Sequence, residues 1–114
     1  ARRHCGHNAT TAAIDNLQFK AGAFLNDVLV LIGRVTYVGH TSMEVRVDTY
    51  KEEPDGSRHP INRAYFVMVS MGEDGHPTEV PPLILDPDDP AEQMEWESAK
   101  KRRELRLLRR KEGF

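Results

Sequence analysis

Only one cysteine, Cys5, stands among the 114 residues, so no internal disulfide can form, and a reducing compartment is the simple reading. Long apolar runs are also missing. Runs such as Val28 to Ile32 fall far short of the about 20 residues that a membrane-spanning helix needs. No secretory signal and no internal repeat is visible. Aromatics make up 7% of the chain, with a single tryptophan, Trp96. The net charge is only −2, so the strongly basic balance of many nucleic-acid binders is absent. What remains, 39% hydrophobic and 30% charged residues, is a globular balance rather than a disordered one. The length suits one domain with a modest core, which association would help to stabilise.

The charge is unevenly placed. Residues 99–112 hold eight basic side chains against Glu104 and Glu112, so a basic tail follows an acidic body. At the other end, Ala1 to Cys5 reads as the last turn of a helix begun upstream, with Gly6 as its stop.

Four strands are expected, near 9–19, 28–38, 43–52 and 59–71. Thr10, Thr11 and Ile14 favour extended backbone in the first. The second opens on five apolar residues, which suggests burial on both faces. The third alternates, with Met43, Val45 and Val47 on one side and Glu44, Arg46 and Asp48 on the other. Turns punctuate the chain at Gly39-His40-Thr41-Ser42, Glu53-Pro54-Asp55-Gly56-Ser57 and Gly72 to Pro77. The expectation is one antiparallel sheet with Val28 to Ile32 and Ala64 to Val69 at its buried centre. After a proline-rich linker, a helix should start with Asp89 as cap, Pro90 in the first position and Glu92 completing a capping box. Gly113 is a plausible stop. The apolar stripe of this helix is thin, so it should pack weakly or against another chain.

Chemistry-bearing motifs are few. His4-Cys5-Gly6-His7 lacks the second Cys/His pair that a zinc site usually has, and polar residues at a helix end are the stronger reading; no metal is expected. Cys5 as a nucleophile would need His4 or His7 held beside it, which a frayed helix end seldom does. Asp15, inside a strand, could act as a base, but it is more often solvent-facing or paired with a cation. Tyr37 and Trp96 read as packing residues. The Lys100–Lys111 run could bind nucleic acid or anionic lipid, yet it lacks interleaved aromatics, so a solvated helix face or a subunit contact is the stronger reading. The turn Gly39 to Ser42, running into Met43, Glu44 and Val45, offers hydroxyls and backbone N–H groups to a phosphate or an amide-bearing ligand.

Several pieces, in order, resemble the acyl-CoA hydrolases of the hotdog superfamily, of the cytosolic long-chain acyl-CoA thioesterase type. They are Arg3-His4-Cys5, Thr11 to Asp15, Phe19, Val35 to Gly39, Thr41 to Val45, Ala64-Tyr65-Phe66 and Val80 to Leu83. Gly22 and Asn26 depart from the family's pattern, both in a loop. The resemblance implies an α+β hotdog fold, an antiparallel sheet wrapping a central helix, with the N-terminal strand and most of that helix absent from this chain. It implies a hotdog domain over 1–85, followed by a linker and charged helix over 86–114. The implied activity is hydrolysis of acyl-CoA to fatty acid and CoA without a cofactor. The family's catalytic carboxylate would lie upstream of Ala1, so the catalytic residues are unknown in this chain, and residues 1–114 alone should not turn over acyl-CoA. Thr41, Ser42 and Met43 would line the CoA path, with His40 and Arg63 as weaker candidates for its phosphates. A homodimer or trimer of dimers in the cytoplasm is implied, with no nucleic-acid partner. Two alternatives stay open: a non-catalytic acyl-CoA-binding or regulatory module of the same fold, and a small β-domain that binds nucleic acid through its basic helix.

Overall fold

The structure, a computed structural model, describes residues 1–113, apart from the side chains of residues 16–18. A short helix α1 (Arg2–Cys5) precedes strands β1 (Asn8–Phe19), β2 (Val28–Val38), β3 (Ser42–Glu52) and β4 (Arg58–Met71), and a long helix α2 (Pro90–Lys111) follows. All four strands and both helices stand where the residue pattern puts them, within one or two residues at each end. The class is α+β. Every strand pairing is antiparallel, and the order across the sheet is β1-β4-β3-β2.

Register follows from the alternation in β3. Val45 lies opposite Phe66 and Val35, while Arg46 lies opposite Tyr65 and Arg34. One face is therefore apolar, built on Met43, Val45, Val47, Ala64, Phe66 and Met68. The other carries Glu44, Arg46, Asp48, Arg63 and Tyr65, because successive side chains point to opposite sides. At one end of the apolar face, Cys5, Met43, Val45 and Val80 form the core, with α1 laid over it. Gly6, at φ 74°, ends α1 in the left-handed conformation that glycine takes without strain. A ring nitrogen of His4, Nε2, lies 2.8 Å from the Pro81 carbonyl oxygen and ties α1 to the segment leading out of the sheet.

The expected buried centre is half right. Ala64, Tyr65 and Val67 are buried, since β4 has a neighbour on each side. Val28 to Ile32 are not: Val28, Leu31 and Ile32 are 57%, 62% and 47% exposed. An unbroken apolar run signals that both faces suit burial, but it does not say which strand is central. Here β2 forms the edge of the sheet, and nothing among the described residues covers its first half.

A bulge interrupts β2. Val35 pairs with Val45 and Tyr37 with Glu44, leaving Thr36 as the extra residue. Its hydroxyl turns to the Glu44 carboxylate, 2.6 Å away.

Helix α2 begins as its sequence indicates: the Asp89 carboxylate accepts from the N–H groups of Ala91 and Glu92. Glu92, however, does not close a capping box. It reaches further back and accepts from the Asp86 N–H at 2.9 Å, while the Asp89 N–H that a capping box would use already donates to the Asp86 carbonyl at 3.1 Å. The helix crosses the polar face of the sheet. Ala99 is buried, and Trp96 packs on Tyr37 with ring centroids 4.4 Å apart. The rest of the attachment is ionic. Arg102 grips Glu44, Glu95 meets Arg46, and Arg106 and Arg109 both hold Asp15. The basic run is thus not one solvated face. Its thin apolar stripe is offset by arginines matched to acids on the strands.

Candidate functional site

The turn before β3 is built by its backbone. The Gly39 N–H donates to the Ser42 carbonyl at 2.8 Å, while the carbonyls of His40 and Thr41 accept from Val80 and Ser70. Those bonds fix the loop between β2, β4 and the Val80 segment, and leave the Thr41 and Ser42 hydroxyls without a hydrogen-bond partner among the described residues. His40 is exposed, and Thr41 and Ser42 are half-buried. Thr41, Ser42 and His40 therefore form one small polar rim.

Met43 does not join it. Its side chain is 1% exposed, sealed between Cys5, Val45 and Val80. The reason is the alternation already visible in β3, which sends residue 43 to the apolar face. A ligand at the rim could reach only its backbone. Arg63 is also elsewhere. Ser42 pairs with Val69 and Asp48 with Arg63, six positions along β4, which at the rise of a strand is about 20 Å. Arg63 donates two hydrogen bonds to Asp48, at 2.6 and 3.1 Å, and these raise its pKa above the usual arginine value. It lines a cleft of about 490 Å³ with Lys20, Tyr50, Asn62 and Tyr65. Any contact it makes with a phosphate would be distant from the rim.

The acids resolve plainly. Glu44, 4% exposed, takes two hydrogen bonds from Arg102, at 2.7 and 3.0 Å, and a third from Thr36. Burial works against the Arg102 charge, but the Glu44 carboxylate more than offsets it and raises the arginine's pKa. The Arg102 guanidinium also lies 3.6 Å from the centroid of the Tyr65 ring, and burial pushes the Tyr65 phenol above its usual pKa. Asp48 pairs with Arg63 and Arg46, Asp15 with Arg106 and Arg109, and Asp27 with Lys51. Asp15 takes the cation-paired role rather than that of a base. Cys5 is buried, its Sγ aimed at the His7 carbonyl 3.3 Å away. No group of three or more potential metal ligands occurs among the described residues.

Three residues near the rim were not visible as such in the sequence. Arg102 and Glu44 are 58 positions apart, and no local pattern marks such a pair. Arg103 belongs to the same helix turn as Arg102 but points to the turn before β3, and it is half-buried.

The sequence model of the thioesterase superfamily matches residues 1–57, half of the chain. A cytosolic acyl coenzyme A thioester hydrolase of Rattus norvegicus is 30% identical over 98 residues, covering 83% of this chain and 26% of the relative. Protein VdlD of Helicobacter pylori is 31% identical over 105 residues, covering 91% of this chain and 59% of the relative. The chain thus spans about a quarter to three-fifths of the length of these curated relatives. Among solved structures, an acyl-CoA hydrolase of Staphylococcus aureus in complex with butyryl coenzyme A, coenzyme A and coenzyme A disulfide is 28% identical. It superposes with a TM-score of 0.84 over 98% of this chain and 68% of that one. A hexameric acyl-CoA thioesterase, solved without ligand, is 35% identical with a TM-score of 0.82, over 95% of this chain and 69% of that one. No helix among the described residues is long and apolar enough to cross a membrane.

Proposed function

The chain belongs to the hotdog-fold thioesterase superfamily, and from that premise we propose that it contributes the sheet and the CoA-binding rim of an enzyme that hydrolyses acyl-CoA thioesters. The observation that carries the reading is the superposition of nearly the whole chain on a hydrolase that holds butyryl-CoA and CoA. In the reaction, a water oxygen bonds to the thioester carbonyl carbon, the C–S bond breaks, and CoA leaves as the thiol. In this reading the Thr41 and Ser42 hydroxyls donate to the amide or phosphate groups of CoA, with His40 beside them. Each such bond contributes about 1 kcal/mol, more to a charged oxygen. In this reading Asp15, Asp27, Glu44 and Asp48 do not activate the water, since each is committed to a cation.

That commitment of the acids also supports a second reading, a module of the same fold that binds acyl-CoA without hydrolysing it. The assembly proposed is a homodimer or a trimer of dimers, in keeping with the open apolar half of β2 and the hexameric neighbour, and the compartment proposed is the cytoplasm.

Calorimetric titration with CoA tests the ligand. The wild type should bind, and T41A/S42A should bind at least tenfold more weakly, taking roughly 1 kcal/mol per hydroxyl. Absence of CoA binding to the wild type would sink the reading. Butyryl-CoA hydrolysis, followed by thiol release in this chain and in one extended N-terminally, then separates enzyme from binder: turnover by the extended chain alone supports the enzyme.

A further inference from the structure

We propose that Arg103 is the cation that meets a phosphate of CoA at the turn Gly39 to Ser42. The inference rests on the rim being the CoA site and adds to it a residue from the C-terminal helix, far from the turn in sequence.

The geometry begins at Gly39. Its φ does not lie in the left-handed region, so the backbone does not require glycine there. The space above it is what is confined. A Cβ on residue 39 would sit 3.3 Å from the Ser42 hydroxyl and 3.9 Å from Arg103 Nε. A hydroxyl and a guanidinium thus flank one small point over the turn, and the glycine keeps that point open. This pairing of a neutral donor and a fixed cation suits a phosphate oxygen.

The charge of Arg103 is also available. Its neighbours Arg102, Arg106 and Arg109 are each bound to strand carboxylates, whereas Arg103 makes no ion pair with any described residue. Its guanidinium carbon lies 6.0 Å from the centroid of the Tyr37 ring, at the outer limit of a cation–π contact. The ring steadies the side chain without neutralising it. Helix α2 in turn is held by Arg102 on Glu44, so the strut that carries Arg103 is anchored one residue away.

The chemistry favours a phosphate over the CoA amides. A guanidinium is donor-only, and its hydrogen bond to an ionised oxygen is about twice as strong as a neutral one. Thr41 and His40, on the same rim, remain for the neutral parts of the ligand.

The test is CoA affinity, measured by calorimetry on the wild type, R103A and R103K, with Trp96 fluorescence recorded for each. Trp96 lies on α2 against Tyr37 and reports whether the helix stays docked. R103A should bind CoA roughly 10- to 100-fold more weakly. R103K should recover part of that loss, and Trp96 emission should not change in either variant. Equal CoA affinity in wild type and R103A overturns the assignment while leaving CoA binding intact. A loss in both variants accompanied by a red shift of Trp96 overturns it too, since Arg103 then acts only by holding the helix. Inorganic phosphate binding as tightly as CoA would mark a free-anion site and overturn the assignment to the nucleotide. If the wild type binds no CoA, the parent reading and this one fall together.

Discussion

Replacing Arg102 with alanine should loosen α2 from the sheet more than any other single substitution in the helix. Glu44 is 4% exposed and receives three hydrogen bonds, two of them from Arg102 and one from Thr36. R102A removes the cation and leaves the carboxylate buried beside only the Thr36 hydroxyl. Breaking a buried pair from one side costs about 3–5 kcal/mol. Arg102 itself keeps 13% of its side-chain surface in water, and Arg46 can lean toward the site, so the low end, about 3 kcal/mol, is the expectation. For a chain of this size that is a fall in Tm of roughly 10 °C or more. The double variant R102A/E44Q should recover about half of the loss, because the amide carries no charge and still accepts from Thr36. Thermal unfolding by circular dichroism gives the stability, and Trp96 emission gives the docking of the helix. A cost below about 0.5 kcal/mol for R102A, with Trp96 emission unchanged, would refute the ionic account and show that Trp96 and Ala99 hold α2 by apolar contact alone.

Three further outcomes are expected. L31K should leave the fold intact and reduce self-association, because Leu31 is 62% exposed and packs on little within the chain; sedimentation of the two proteins across a concentration series checks this. D89A should cost about 1 kcal/mol and speed amide exchange at Ala91 and Glu92, whose N–H groups the Asp89 carboxylate now accepts. The Asp55 carboxyl titrates below its usual 3.8, chiefly because the Ser57 hydroxyl and N–H donate to it. A depressed folded-state value means that its contribution is present above 3.8 and is lost as pH falls through the lower value, so the Glu53–Ser57 turn should loosen only in that acid range. An NMR titration of Asp55 checks it, with a midpoint at or above 3.8 counting against the turn geometry.

Local patterns carried most of the fold. The alternation of β3, the turn residues around Pro54 and Gly56, and the Asp89-Pro90 start of α2 are each written within a few neighbouring residues, and the structure follows them. What failed was information held between distant residues. Val28 to Ile32 announce an apolar strand, but its edge position depends on where three other strands lie. Met43 is different, because it ends the polar turn and also begins the two-residue period of β3, so its inward side chain is itself a local signal. Glu92 has the right spacing for a capping box, and only the competing Asp86 turn diverts it. The arginines of α2 look interchangeable in a basic run. Their separation into Arg102, Arg106 and Arg109 on the acids and Arg103 at the turn follows from the helical period laid against a sheet whose register had to be known first.

The strand order has a kinetic side. β2, β3 and β4 are joined to their neighbours by tight turns, so their pairing closes short loops, whereas β1 must find β4 across the whole meander, with Asn8 meeting Met71. Loop closure over that distance costs more entropy before any contact repays it. The meander is then the early-forming part and β1 the late one. Asp15, the anchor for Arg106 and Arg109, rides on that late strand, so the far end of α2 can be fastened only after β1 arrives. The last turns of the helix and the first strand would come and go together as one cooperative unit, opening below the free energy that unfolds the meander, while Arg102 on Glu44 keeps the rest of α2 docked.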